Sequence, residues 1–315
     1  MSQSIALVFP GQGSQSLGML ADLAEKHAVI KDTFAQASDA LGQDLWSMAQ
    51  QGPESVLNST ENTQPILLTS SVALWRLWQQ QGGQTPSVIA GHSLGEYSAL
   101  VCAGAISLVD GVRLVRLRGE LMQAAVPSGA GAMAAILGLD DQSVVSACES
   151  VANGDVVSAV NFNCPGQVVI AGEKQAVARG IEACKIAGAK RAIELPVSVP
   201  SHCALMRPAA EKLAQALSDV EMSLPTIKVV HNVTAAMSSD LDELKALLVQ
   251  QLYSPVRWTE SVQAMQAMGV SGTVECGPGK VLSGLNKKVD RALNVSHLGD
   301  IAGFTKALEL QQNEG

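Results

Sequence analysis

The sequence predicts an α/β protein in which a large domain, built on a parallel sheet, carries a smaller domain inserted into it. Three observations predict this. Short β-branched runs such as Ile5-Ala6-Leu7-Val8-Phe9 and Ser87-Val88-Ile89-Ala90 alternate with longer segments of helical periodicity. The second run leads into Gly91-His92-Ser93-Leu94-Gly95, a G-x-S-x-G frame between a strand pattern and a helix pattern. Over roughly 70 residues in the middle of the chain the element order becomes β-α-β-β-α-β. The frame makes the large domain α/β-hydrolase-like, and the middle order makes the small one ferredoxin-like.

Residues 5–9 read as the first strand, closed by the loop Pro10-Gly11-Gln12-Gly13-Ser14-Gln15. Residues 67–78 carry a helical repeat, 87–90 form the strand before the serine, and 96–104 form the helix after it. Helical pattern resumes over 108–125. The texture changes at Pro127-Ser128-Gly129-Ala130-Gly131. A strand at 132–137 and a helix at 141–151 follow. Strands at 156–161 and 167–171 flank the turn Cys164-Pro165-Gly166, and a helix at 174–187 leads to a strand at 191–195. Pro196 and Pro200 punctuate the return to the large domain. A strand at 227–230, a helix around 241–251 and a late strand at 273–276, ending in Gly277-Pro278-Gly279-Lys280, complete the pattern. The expected division is 1–127 and 198–315 for the large domain and 128–197 for the small one.

A chain of 315 residues, 47% hydrophobic and 16% charged, buries a sizeable core. A formal net charge of -8 repels phosphate backbones, and 3% aromatics offers few rings for base stacking, so no nucleic-acid partner is expected. No run approaches the roughly 18 apolar residues that span a bilayer, and no membrane partner is expected. Met1-Ser2-Gln3-Ser4 lacks a basic region and the apolar run after it is only strand length, unlike a signal peptide. Cys102, Cys148, Cys164, Cys184, Cys203 and Cys276 are scattered, without a C-x-x-C pair or zinc-like histidine spacing. That is the pattern of free thiols in a reducing compartment, so a cytoplasmic protein without a metal is expected.

In the G-x-S-x-G frame, glycines allow a sharp turn that exposes the serine hydroxyl at a helix N-terminus, where free N–H groups face a developing oxyanion. The alternative is a glycine-rich turn whose serine only caps a helix. A serine hydroxyl needs a base within hydrogen-bond reach. His92 adjoins Ser93 and is expected to support the turn, while His27 and His297 read as surface residues. His202, in the loop Val199-Pro200-Ser201-His202, and His231, at a strand end beside Asn232, remain close competitors for the base. Two other motifs fail. Gly11-Gln12-Gly13 lacks the third glycine of the dinucleotide fingerprint, and Gly277-Pro278-Gly279-Lys280 lacks the spacing of a phosphate loop, so no nucleotide cofactor is expected.

The chain resembles the malonyl-CoA:acyl-carrier-protein transacylases of bacterial fatty acid synthesis over nearly its full length. The resemblance rests on segments in family order. They are Phe9-Pro10-Gly11-Gln12-Gly13-Ser14-Gln15, Glu61-Asn62-Thr63-Gln64-Pro65, Gly91-His92-Ser93-Leu94-Gly95-Glu96-Tyr97 and Arg116-Leu117-Arg118-Gly119, then Gly131-Ala132-Met133-Ala134-Ala135 and Asn161-Phe162-Asn163-Cys164-Pro165-Gly166-Gln167. Val199-Pro200-Ser201-His202, Gln251-Leu252-Tyr253-Ser254-Pro255-Val256 and Glu275-Cys276-Gly277-Pro278-Gly279-Lys280-Val281-Leu282 complete the series.

The resemblance implies Ser93 as nucleophile and His202 as its base, oriented by a main-chain carbonyl at Gln251. It implies an oxyanion hole from the backbone N–H groups of Gln12 and Leu94. Arg118 would grip the free malonyl carboxylate, with Gln64 and Asn163 as further polar residues of the pocket. It implies malonyl-CoA as donor, holo acyl-carrier protein as acceptor, no cofactor and a monomer. The carrier is typically acidic, so Lys190, Arg191, Lys280, Lys287 and Lys288 are docking candidates. Leu94 and Ser201 match the malonyl rather than the methylmalonyl pattern. An acyltransferase serving a polyketide synthase would share every one of these features. A serine hydrolase shares Gly-His-Ser-Leu-Gly, but it has a small residue where Glu96 stands and a triad acid that does not stand out here. A non-catalytic binding module would not need Ser93, His202 and Arg118 together.

Overall fold

Ile5, Leu7 and Phe9 face one hydrophobic cluster and Ala6 and Val8 another, so the first strand is covered on both sides. The computed structural model describes residues 4–197 and 199–312. Ser198, where the return to the large domain is expected, lies outside the described residues, as do Met1, Ser2 and Gln3 of the N-terminal reading. The described strands are β1 (Ile5–Phe9), β2 (Val88–Gly91), β3 (Gly131–Leu137), β4 (Val157–Cys164) and β5 (Gln167–Glu173), then β6 (Arg191–Glu194), β7 (Lys228–Val230), β8 (Gly272–Glu275) and β9 (Asn294–His297).

They form two sheets. One has the order β7-β2-β1-β8-β9 with every neighbouring pair parallel. β1, β2 and β8 are buried at every residue, which is why they read as unbroken apolar runs rather than alternating ones. The chain steps outward from β1 to β2 and β7, then crosses back over β1 to β8. Loops at the carboxyl ends of strands flanking such a reversal line a crevice. Gln12, Ser93 and Asn232 follow β1, β2 and β7 at that edge. The second sheet is antiparallel, in the order β4-β5-β3-β6, and has its own core around Ile136, Val168 and Ile170. It joins the first part through β4, where Phe162 N–H donates to the Val256 carbonyl at 2.9 Å and Val256 N–H to that of Val160 at 2.8 Å.

The strands follow the sequence reading closely, and the helices less so. Thr60–Gln80 runs well beyond the expected 67–78 because Pro65 lies inside it. A proline has no N–H to donate and usually marks a boundary, but here the buried flank on both sides holds the helix together. Leu94–Cys102 begins two residues before the expected 96, since Ser93 itself stands at the N-cap position. Helices at Ala28–Leu41, Leu45–Gln51, Arg207–Asp219, Trp258–Ala267, Val281–Val289 and Ile301–Gln312, and the edge strand β9, fall in segments given no element from sequence. Among the described residues no helix is long and apolar enough to cross a membrane. All six cysteines are free thiols.

Candidate active site

The turn between β2 and helix Leu94–Cys102 is built by its two glycines. A Cβ on Gly91 would lie 1.8 Å from the Gly95 carbonyl carbon, and one on Gly95 would lie 2.0 Å from the Phe9 oxygen. Neither position accepts a side chain. Ser93 between them is held at φ 52° and ψ -111°, a conformation non-glycine residues adopt only where neighbours enforce it. One such neighbour is Asn232. Its Oδ1 accepts from Ser93 N–H at 2.7 Å while its Nδ2 donates to the Gly91 carbonyl at 2.6 Å. The hydroxyl therefore sits at the start of a helix whose first-turn N–H groups, Leu94's among them, have no acceptor within the helix.

His202 Nε2 lies 2.8 Å from Ser93 Oγ, and His202 Nδ1 lies 2.7 Å from the main-chain oxygen of Gln251. A carbonyl only accepts, so Nδ1 carries the proton and Nε2 presents a lone pair to the serine hydroxyl. His202 is 3% exposed and, like Ser93, has a positive φ, 65°. Burial pushes its pKa down to about 3, with the nearby Arg118 charge acting in the same direction, so the ring is neutral at ordinary pH.

Arg118 is fully buried. Its Nη1 donates to Gln64 Oε1 at 2.8 Å, and its Nη2 donates to Gln251 Oε1 at 3.0 Å and Ser93 Oγ at 3.3 Å. The guanidinium carbon lies 5.4 Å from the centre of the Tyr97 ring. A buried guanidinium with no carboxylate among the described residues directly against it, beside a hydroxyl at a helix N-terminus, is a site for an anionic group.

The two histidines that sequence left level are separated by their partners. His231 is buried and points away from Ser93, its Nδ1 2.7 Å from Glu96 Oε1. His92 lies under the turn, with Nε2 2.8 Å from Asn163 Oδ1. His27 and His297, read as surface residues, are half-buried; the His297 ring packs against Gly303. Gln12 lies at the lip of the cleft with its side-chain oxygen accepting from Thr60 Oγ1 at 2.7 Å. Gln64 is buried behind Arg118. Of the five basic candidates, all are exposed and none lines the cleft. Lys190 and Arg191 precede or begin β6, whereas cleft residues Leu195, Pro196 and Val197 follow its end. Lys287 Nζ donates to the Leu293 carbonyl and Lys288 Nζ to Gln167 Oε1.

The cleft above Ser93 has a volume of about 410 Å³, with His92 and His202 at its floor and Gln12, Asn161, Gln123 and Val199 among its walls. Asn161 was missed from sequence and takes the wall position expected of Asn163. The register of β4 shifts between Ala159 and Asn161 and again between Phe162 and Cys164, so period-two alternation does not carry through this stretch. Asn163 is instead turned under the cleft onto His92.

The acyl transferase domain family matches residues 6–303. The chain is 60% identical over 305 residues to the malonyl CoA-acyl carrier protein transacylase of Escherichia coli, covering 97% of this chain and 99% of that protein. It is 45% identical to the protein of that name from Bacillus subtilis, covering 98% of each. Among solved structures it superposes on a malonyl-transacylase in complex with its type II PKS acyl-carrier protein, with a TM-score of 0.96 at 57% identity over 98% of this chain and 99% of that one. An acyl carrier protein S-malonyltransferase from Vibrio cholerae gives a TM-score of 0.94 at 57% identity over 96% and 99% of the two chains.

Proposed function

The chain belongs to the acyl transferase family, and from that premise we propose that it transfers the malonyl group of malonyl-CoA to the phosphopantetheine thiol of acyl-carrier protein. The observation that carries the reading is the arrangement around one hydroxyl. Ser93 Oγ lies 2.8 Å from a neutral imidazole and 3.3 Å from a buried guanidinium. In this reading Ser93 Oγ attacks the thioester carbonyl while His202 Nε2 takes its proton. The tetrahedral oxyanion is received by the backbone N–H groups of Leu94 and Gln12, each donor being worth about 3 kcal/mol in the transition state. As the tetrahedral intermediate collapses, the C–S bond breaks, CoA leaves as its thiol with the proton returned by His202, and a malonyl-serine ester remains. The carrier thiol then repeats the sequence in reverse, its proton passing through His202 to Ser93.

Arg118 holds the malonyl carboxylate, with Gln64 and Gln251 fixing the plane of the guanidinium. A tethered carboxylate keeps the ester where water is poorly placed, which favours transfer over hydrolysis. The same pairing offsets the charge that depresses His202, so the base strengthens as the substrate arrives. We read residues 1–127 and 198–315 as an α/β-hydrolase-like part, on the strength of the serine turn between strand and helix. We read 128–197 as a ferredoxin-like insert, supported by the β4-β5-β3-β6 order. The protein works as a cytoplasmic monomer in this reading. In this reading an acidic carrier is drawn by the exposed cations Lys190, Arg191, Lys280, Lys287 and Lys288, which stand outside the cleft lining.

The test is the intact mass after brief incubation with malonyl-CoA, followed by a chase with holo acyl-carrier protein. A malonyl adduct that passes to the carrier is the expected outcome, and one that decays into water at the same rate with or without carrier would refute the transferase reading. Running the chase with fatty-acid and polyketide carriers identifies the acceptor. A type II PKS carrier occupies the solved relative, and this keeps the polyketide acceptor in the comparison.

A pH dependence follows from the neutral base. His202 has a folded pKa below its unfolded value of about 6.5, so from pH 6.5 down toward 3 the unfolded chain binds a proton that the folded one refuses. Its contribution to stability therefore falls on acidification through that window, by up to about 1.4 kcal/mol per pH unit. The kcat/KM for malonyl loading, which reports the free enzyme, is expected to stay level between pH 8 and about 5. A histidine-like fall near pH 6.5 that disappears in a His202 variant would contradict it.

A further inference from the structure

Outside the residues that would touch substrate, the chain buries one carboxylate on the helix that starts at Ser93. Glu96 is fully buried in the first turn of Leu94–Cys102, where a negative charge suits the helix N-terminus. Three groups from two other segments donate to it. His231 Nδ1 lies 2.7 Å from Oε1, and Asn232 N–H and Gln251 Nε2 lie 3.0 Å and 2.8 Å from Oε2.

Two of those donors belong to residues that themselves grip the serine turn. Asn232 Oδ1 accepts from Ser93 N–H at 2.7 Å, and Gln251 Nε2 also donates to the Ser93 carbonyl at 3.0 Å. The serine is thus clasped on both sides of its peptide frame by the side chains of two residues held by the same carboxylate, Asn232 through its backbone N–H and Gln251 through its amide nitrogen. Gln251 carries further consequences. Its main-chain oxygen orients His202, and its side-chain oxygen takes a bond from Arg118 Nη2 at 3.0 Å.

An amide side chain has one accepting end and one donating end, and nothing in its shape decides which way it faces. A carboxylate has only acceptors. Glu96 and the Ser93 carbonyl, both acceptors, together draw the Gln251 amide nitrogen inward, with the charged carboxylate the stronger of the two, and the Gln251 oxygen then faces Arg118. We propose that Glu96 is a positioning residue that fixes the amide sense of Gln251 and, through it, the orientation of Arg118 for the substrate carboxylate. His231 serves Glu96 by donating to the oxygen that Gln251 and Asn232 leave over. The proposal rests on the malonyl-transfer reading, because it concerns how the carboxylate-binding guanidinium is aimed.

Glu96→Gln preserves shape but presents a mixed donor and acceptor to three donors, so the charged acceptor that sets the sense of Gln251 is lost and only the Ser93 carbonyl and Arg118 still favour it. Malonyl loading is expected to fall about tenfold to a hundredfold, the scale on which a small misplacement of a catalytic group acts. Acetyl loading, which makes no use of Arg118 as a carboxylate clamp, is expected to fall less, so the malonyl-to-acetyl ratio of kcat/KM drops. Glu96→Asp keeps an acceptor-only group and is expected to fall between wild type and Glu96→Gln. An unchanged ratio in Glu96→Gln, or an equal loss for both donors, overturns the proposal, since a merely structural defect in the serine turn would slow both alike. Should Glu96→Gln not fold, Glu96→Asp carries the test: a ratio below wild type supports the proposal and a wild-type ratio overturns it. The wild-type control separates the two levels. Absence of any malonyl adduct on wild type removes the underlying reading, whereas a normal wild-type adduct with an unshifted Glu96→Gln ratio removes only the role of Glu96.

Discussion

His202→Ala is expected to slow malonyl loading by about 10⁴-fold, and Ser93→Ala to leave no covalent adduct at all. The imidazole is the base in contact with the Ser93 hydroxyl, with Nε2 at 2.8 Å, and its other nitrogen is fixed by the Gln251 carbonyl. Without it, the hydroxyl keeps, among the described residues, the Arg118 contact at 3.3 Å, and a guanidinium cannot accept a proton. His231 does not substitute, being buried in its pair with Glu96. Because the two residues act as one unit, the double variant is expected to be no slower than Ser93→Ala alone. Rapid-quench loading with labelled malonyl-CoA measures each rate. A His202→Ala enzyme that loads within tenfold of wild type would show that another group takes the proton.

The serine turn was legible because its demand is local. Gly91 and Gly95 are needed where the strand end, the helix start and Phe9 crowd together, and a G-x-S-x-G string after an apolar run records that crowding in sequence. The choice between His202 and His231 was not legible in the same way. Both stand in loops near strand ends, and what separates them is a buried carboxylate that claims one and a long-range approach of 109 positions that delivers the other. Glu96 attracted notice only as the residue out of place for a hydrolase, and its three donors come from segments far along the chain. The strands read well, since fully buried parallel strands are continuous apolar runs. The helices around 21–57 were lost because each is short or separated by glycine and proline, and Thr60–Gln80 was cut short at Pro65. Asn161 went unread because the register shifts of β4 break the alternation that would say which of Asn161 and Asn163 reaches the cleft.

Arg118→Ala is expected to lower kcat/KM for malonyl loading by about 10²–10³-fold while leaving acetyl loading unchanged or faster, so that the preference between donors collapses. A charge-assisted, two-bond grip on a carboxylate inside a buried site is worth about 3–4 kcal/mol, which corresponds to that range. Acetyl-CoA has no carboxylate to present. In the wild-type enzyme it would leave a fully buried guanidinium with no counter-charge from the substrate, and removing the arginine removes that obstacle. Arg118→Lys is expected to restore little. An ammonium is a single point of charge on a flexible stem, and it cannot hold Gln64 and Gln251 while also bridging a carboxylate in the plane the guanidinium occupies. The change also strands the side-chain oxygens of Gln64 and Gln251, at about 1–3 kcal/mol for each acceptor left unpaired, so thermal denaturation of Arg118→Ala should be measured beside its kinetics. Stability and selectivity are separable because a general loosening would lower both donors together. A variant that keeps its malonyl preference at reduced stability would mean that the carboxylate is held by some other group in the cleft, and that Arg118 serves the fold alone.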